Sequence, residues 1–131
     1  MKVLDATFVI DYLDRGTEAR DYLDSRQQET FIMPAPTYLE VAIGDVHHHS
    51  TTDLAGLRSG LHWINVRPVD ETTITRGARV ADEIGPQGPQ LTMGDAIVAG
   101  AGRELDAAVV AGDSDLTHKE TRKVIDVEDF R

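Results

Sequence analysis

A chain of 131 residues, 40% hydrophobic and 27% charged, has the length and composition of one globular domain, residues 1–131, around one core. It has no cysteine, which excludes a disulfide scaffold, thiol catalysis and any Cys-ligated zinc or iron–sulfur site. Thirteen Lys and Arg against 23 Asp and Glu give a net charge of −10, so a nucleic acid would have to be held by metal ions or by a local patch, not by a generally basic surface.

The opening run Met1 to Leu4 is apolar enough for a buried strand, and Asp5 ends it. Phe8, Val9, Ile10, Tyr12 and Leu13 then follow at helical spacing. The same Asp5 interrupts the only apolar stretch near the start, so a signal-peptide core is missing. No run of roughly eighteen apolar residues exists elsewhere, and a soluble, cytoplasmic protein with no membrane partner is expected. Thr17 to Gln28 is polar with a narrow stripe of Ala19, Tyr22 and Leu23, and Thr30 to Met33 reads as a second strand closed by Pro34 and Pro36. Leu39, Ala42, Ile43 and Val46 mark the apolar face of a helix, and a further helix over Thr52 to Leu61 leads to a strand from Trp63 to Val66. Asp70 is a natural cap for a helix carrying Ile74, Ala78, Ala81 and Ile84, stopped by Gly85 and Pro86. After the turn GPQGPQ, a helix from about Gly94 presents Ile97, Val98, Ala101 and Leu105. Strands are expected at Ala107 to Ala111 and Val124 to Val127. Strands alternating with helices predict βαβ units, hence a mainly parallel sheet with helices on both faces.

In such a sheet ligands bind beyond the carboxyl ends of the strands, where strand order reverses. Asp5 stands at the end of the first strand, and Asp113 follows the strand ending at Ala111. Each alone reads equally as a turn former or helix cap. If their strands are neighbours, the two carboxylates converge, and like charges held close require a cation or a proton. A hard divalent ion prefers such oxygen ligands. Asp95 fits the spacing of a capping box with Thr92 and also lies at the same rim. Glu40 borders the apolar stripe of its helix, where it reads as a half-solvated acid or as one turned toward the rim.

Asp5 in VLDATFVIDYL, Glu40 in PTYLEVA, Asp95 in LTMGDAIVAGAG and Asp113 in AAVVAGDSDL resemble, in order and spacing, the four acidic blocks of the PIN domain. The short length resembles its VapC toxin branch. The resemblance implies a three-layer α/β/α fold with a mainly parallel central sheet. It implies a metal-dependent endoribonuclease using Mg²⁺ or Mn²⁺, with Asp5, Glu40, Asp95 and Asp113 as catalytic acids and Asp5, Asp95 and Asp113 as metal ligands. Thr7 matches the hydroxyl residue that commonly follows the first acid, and Asp115 matches an auxiliary acid, although it reads equally as a loop residue. The family's last block often carries Thr and Phe where this chain has Ala111 and Leu116, which puts the orientation of the ligands in question more than the reaction. By the same resemblance the partners are an RNA substrate, a small VapB-like antitoxin docking on early helices at Tyr22, Leu23, Leu39, Ile43 and Leu57, and a second copy meeting through Ile74 to Ile84 and Ile97 to Leu105. Core packing explains most of these apolar positions equally well.

Two other functions compete with the nuclease. A phosphoacceptor receiver domain is also a small acidic parallel α/β fold, but it wants adjacent acids after the first strand, where this chain has Ala6 after Asp5. A PIN-fold binding module without strong catalysis is the other. His47, His48 and His49 point about 100° apart on a helix and read as a solvated helix end, not as a metal site. Trp63 reads as packing, and Arg15, Arg103, Lys119, Arg122 and Lys123 as solvated charges that could also meet phosphates. Phosphate-binding glycine motifs are absent.

Overall fold

Every strand of the single sheet is parallel to its neighbours, and their order is β3-β2-β1-β4-β5. The strands are β1 (Lys2–Leu4), β2 (Phe31–Pro34), β3 (Ile64–Arg67), β4 (Ala108–Ala111) and β5 (Val127–Asp129). Between them run α1 (Ala6–Leu13), α2 (Thr17–Asp24), α3 (Ala35–His48), α4 (Leu54–Gly60), α5 (Glu71–Ile84), α6 (Met93–Leu105) and the short α7 (Lys119–Arg122). The structure is a computed structural model and describes residues 1–48 and 52–131. No helix among the described residues is long and apolar enough to cross a membrane.

Polar residues cap the helix starts. Asp5 caps α1 by accepting from the Phe8 N–H at 3.2 Å, Asp70 caps α5 through Thr73 N–H at 3.2 Å, and Thr92 caps α6 through Asp95 N–H at 3.2 Å. Gly85 ends α5 at φ 68°, a left-handed value that costs glycine nothing.

Strand alternation divides the core. Leu4 and Val110 face a cluster with Phe8, Val9, Met33, Val41, Leu61 and Ile64 under α1 to α4, while Val3, Val109 and Ala111 face Val80, Val98, Leu116 and Val127 under α5 and α6. Both sheet faces are therefore covered, as a parallel sheet requires. On the second face α5 and α6 approach closely through glycines. A Cβ on Gly100 would stand 2.5 Å from Thr73 O and 2.7 Å from Gly77 N, and one on Gly77 would stand 2.5 Å from Ala96 O.

Three expectations from the sequence are corrected. The stripe Ile74, Ala78 and Ala81 faces solvent, and α5 instead buries Thr73, Gly77, Val80 and Ile84. The backbone approach at Gly77 and Gly100 fixes that face, and small residues do not stand out in an apolar pattern. On α3, Leu39, Ile43 and Val46 are 58%, 49% and 48% exposed, while Thr37 and Val41 are buried. The last strand begins at Val127, because Val124 and Ile125 sit in a turn whose N–H groups return to Thr121 O at 3.0 and 3.1 Å. Trp63 packs edge-on against Tyr12 and Phe31. His47 and His48 are exposed at the end of α3, and His49 lies outside the described residues.

Candidate metal centre

Strand order reverses between β1 and β4, each of which pairs with the other and sends its onward connection to opposite sides. Asp5 and Asp113 follow these two strands, so they flank the crevice where this topology leaves room for a ligand. The rim is stitched together there. Asp5 N–H donates to Val110 O at 3.2 Å, and Thr7 Oγ1 donates to the Asp5 carboxylate at 2.7 Å while accepting from Gly112 N–H at 2.9 Å. Thr7 thereby ties the start of α1 to the end of β4.

Asp113 begins the turn after β4. Its Oδ1 accepts from the N–H groups of Asp115 at 2.8 Å and Leu116 at 3.1 Å, which holds the carboxylate rigidly and folds the DSD segment back on itself. Asp95 arrives from a different direction, in the first turn of α6. One carboxylate oxygen from each of Asp95, Asp113 and Asp115 lies within 4.8 Å of the other two. Glu40 reaches the same place from α3, its carboxylate resting where a Cβ on Gly94 would be. Glycine at 94 is what lets the acid come this close.

All six candidate residues, Asp5, Thr7, Glu40, Asp95, Asp113 and Asp115, line one cavity of about 200 Å³, together with Thr37, Thr92, Gly94 and Val98. The tightest group contains Asp115 in place of Asp5, which is 3% exposed and held by Thr7 and Phe8. Sequence inspection overlooked Gly94 and Thr37. Thr37 precedes Glu40 by three residues, a spacing that shares a helix face and was the available signal.

Crowded acids resist ionising. Burial, with Asp113 and Asp95 adding repulsion, pushes the Asp5 carboxyl up to about 7, although bonds from Thr7 and Phe8 oppose the shift. Burial and the charges of Asp113, Asp115 and Glu40 raise Asp95 to about 6 against the bond from Thr92. Burial, then Asp113, raises Glu40. The charged groups acting most strongly on each are carboxylates, whose mutual repulsion raises the cost of ionising them together. Three of the five basic residues singled out in the sequence are engaged elsewhere: Arg103 with Glu83 and Val124 O, Arg122 with Thr117 O and Val127 O, and Lys123 with Glu120. The donors are oxygen alone, without His or Cys, which suits a hard divalent ion.

Fold and site together define a parallel α/β/α domain with an acidic centre at its topological switch point. The PIN domain family model matches residues 2–122, and the chain belongs to that family. Solved structures share the fold across essentially the whole chain. A toxin-antitoxin complex from Klebsiella pneumoniae is similar with TM-score 0.78 and 17% identity, covering 100% of this chain and 98% of that one. DNA-bound VapBC from Salmonella typhimurium is similar with TM-score 0.77 and 16% identity, covering 99% and 98%. FitAcB from Neisseria gonorrhoeae is similar with TM-score 0.74 and 17% identity, covering 99% and 98%. No curated protein matches the chain in sequence.

Proposed function

We propose that the chain is a Mg²⁺- or Mn²⁺-dependent endoribonuclease and the toxin of a toxin–antitoxin pair. The observation that carries the proposal is the convergence of Asp5, Glu40, Asp95, Asp113 and Asp115 on one cavity at the strand ends, where the charges named as acting on Asp5 and Asp95 are other carboxylates. Asp95, Asp113 and Asp115 are the residues that would hold the ion, with Asp5 and Glu40 completing its surroundings. When bound, a divalent ion supplies a more acidic water and compensation for charge growing on the phosphate. The reaction is hydrolysis: a water oxygen forms a bond to phosphorus, one P–O ester bond breaks, and the departing alcohol gains a proton.

The chain's own groups divide the remaining work. Asp113, fixed by two backbone N–H bonds, and Thr7, fixed between Asp5 and Gly112, preorganise the rim. Glu40 stands outside the tight triad on its own helix, and its raised carboxyl suits a proton acceptor for the attacking water. The Ala111 substitution fits this arrangement because Ala111 is fully buried in the core beneath the rim, while Thr7 already supplies the hydroxyl that anchors Gly112.

Leu39, Ile43 and Val46 form an exposed apolar stripe along α3, on the helix face away from Val41, Gly44, Asp45 and His48, which with Ile10, Leu13 and Asp14 line a separate groove of about 290 Å³. An exposed apolar stripe of this kind marks a partner surface. The similar solved structures are complexes of toxins with antitoxins, and an amphipathic antitoxin helix is the occupant we assign to it. Of the five positions expected to form this surface, Tyr22 and Leu57 are core residues at 6% and 8% exposure and Leu23 packs half-buried against the same core, so Leu39 and Ile43 are the ones available. Ile97 to Gly102 of α6 are also buried within the chain. Of the two helices expected to pair two copies, α5 is the one that leaves an apolar side chain free on its outer face, Ile74 at 47% exposure.

The receiver-domain alternative loses support from topology: receivers order their strands 2-1-3-4-5, whereas this sheet runs 3-2-1-4-5. Incubating the purified protein with single-stranded RNA and Mn²⁺, with and without chelator, tests the proposal. Cleavage with metal and none with chelator is expected. Binding of RNA without cleavage would identify a binding module and overturn the nuclease.

A further inference from the structure

Thr37 is 1% exposed, and its hydroxyl has no hydrogen-bond partner. Buried polar groups are nearly always paired, and one left unpaired is costly. A helical threonine ordinarily returns its hydroxyl to the carbonyl a turn earlier, and Thr37, in the first turn of α3, makes no such bond. The contrast with Thr7 is direct, since Thr7 both donates to Asp5 and accepts from Gly112. Thr37 lies one turn before Glu40, and its side chain lines the same acid cavity.

The surrounding groups restrict what can satisfy it. Asp5, Glu40, Asp95, Asp113 and Asp115 are acceptors when ionised. A water among them directs its protons to carboxylates and keeps a lone pair for an outside donor. The Thr37 O–H is such a donor, and a cavity of about 200 Å³ has room for a few waters at roughly 30 Å³ each. We propose that Thr37 is a positioning residue whose hydroxyl holds a water that hydrates the divalent ion of the acid cluster, on the side of Glu40. This inference rests on the metal-centre reading above.

The test is calorimetric titration of the full chain with Mn²⁺ for wild type, Thr37→Val and Thr37→Ser, with thermal unfolding in chelator alongside. Removing an unpaired hydroxyl should leave the melting temperature of Thr37→Val equal to or above that of wild type, while its Mn²⁺ affinity falls about tenfold, as for other groups that orient metal ligands. Thr37→Ser should bind Mn²⁺ within about threefold of wild type, since such loss follows the hydroxyl and not the methyl. Wild-type affinity in Thr37→Val would overturn the proposal alone, as would equal weakness in Thr37→Ser, which would trace the effect to methyl packing. If Thr37→Val fails to fold, Thr37→Ala is judged by the same criteria. Absence of Mn²⁺ binding in wild type would overturn the metal centre itself, and this proposal with it.

Discussion

Replacing Asp5 by Asn should stabilise the metal-free protein at neutral pH and above. The side chain is 3% exposed, and its carboxyl titrates at about 7 in place of the ordinary 3.8. A folded-state value above the unfolded one means that the folded chain binds the extra proton. The associated stability is fully present below about pH 4 and is lost as pH rises through about 7. Each pKa unit corresponds to about 1.4 kcal/mol, so a gap of roughly three units puts a ceiling of about 4 kcal/mol on the loss at pH 8 and under about 1 kcal/mol at pH 4. Asn keeps the oxygen that accepts from Phe8 N–H and Thr7 Oγ1 but carries no charge toward Asp113 and Asp95. Urea denaturation of both proteins in chelator between pH 4 and pH 8 reports on this group and the carboxylates coupled to it, because titrations that do not interact with Asp5 cancel in the difference. The advantage of Asp5→Asn should grow with pH, and saturating Mn²⁺ should narrow it by stabilising the wild type. A difference that is constant with pH, or that favours wild type at pH 8, would refute the account of Asp5 as a buried, repelled carboxylate.

Other perturbations probe the remaining parts of the structure. Asp113→Asn should weaken Mn²⁺ binding at least tenfold while preserving the fold, and calorimetry with unchanged affinity would remove Asp113 from the centre. Gly100→Ala puts a Cβ against Thr73 O and Gly77 N, and should cost about 2–3 kcal/mol by forcing α5 and α6 apart; a loss below about 0.5 kcal/mol in urea would show that the helices yield freely. The double change Leu39→Glu with Ile43→Glu should alter stability by no more than about 1 kcal/mol, as for two surface sites. A loss of several kcal/mol would place these side chains in a core.

Much of the site was readable because its parts obey local rules. Asp5 and Asp95 fall where a strand gives way to a helix or a helix begins, positions that capping chemistry reserves for acids, and Asp113 follows an apolar run too short to be anything but a strand. Their convergence depended on β1 and β4 being neighbours, which the βαβ pattern left open and the family resemblance implied. Asp115 entered the tight triad through the reverse turn that Asp113 imposes on the loop, a tertiary detail that spacing does not encode. The apolar stripes were harder to interpret. Hydrophobicity marks what avoids water without saying whether the chain or a partner covers it, so Leu39 and Ile43 read like core although they face outward. On α5 the inward face is Thr73, Gly77 and Val80, where close backbone approach and the bond from Thr73 Oγ1 to Glu104 substitute for bulky side chains.

The central claim is that a divalent ion held by the strand-end acids cleaves RNA with their help. The most direct measurement is the single-turnover rate of cleavage of one single-stranded RNA across a Mn²⁺ titration, set beside the Mn²⁺ binding isotherm in the same buffer, for wild type and Asp113→Asn. The rate should rise with occupancy and reach its half-maximum where binding does, and both curves should collapse together in Asp113→Asn. Cleavage that persists in chelator, or that survives in Asp113→Asn after Mn²⁺ binding is lost, would contradict the account.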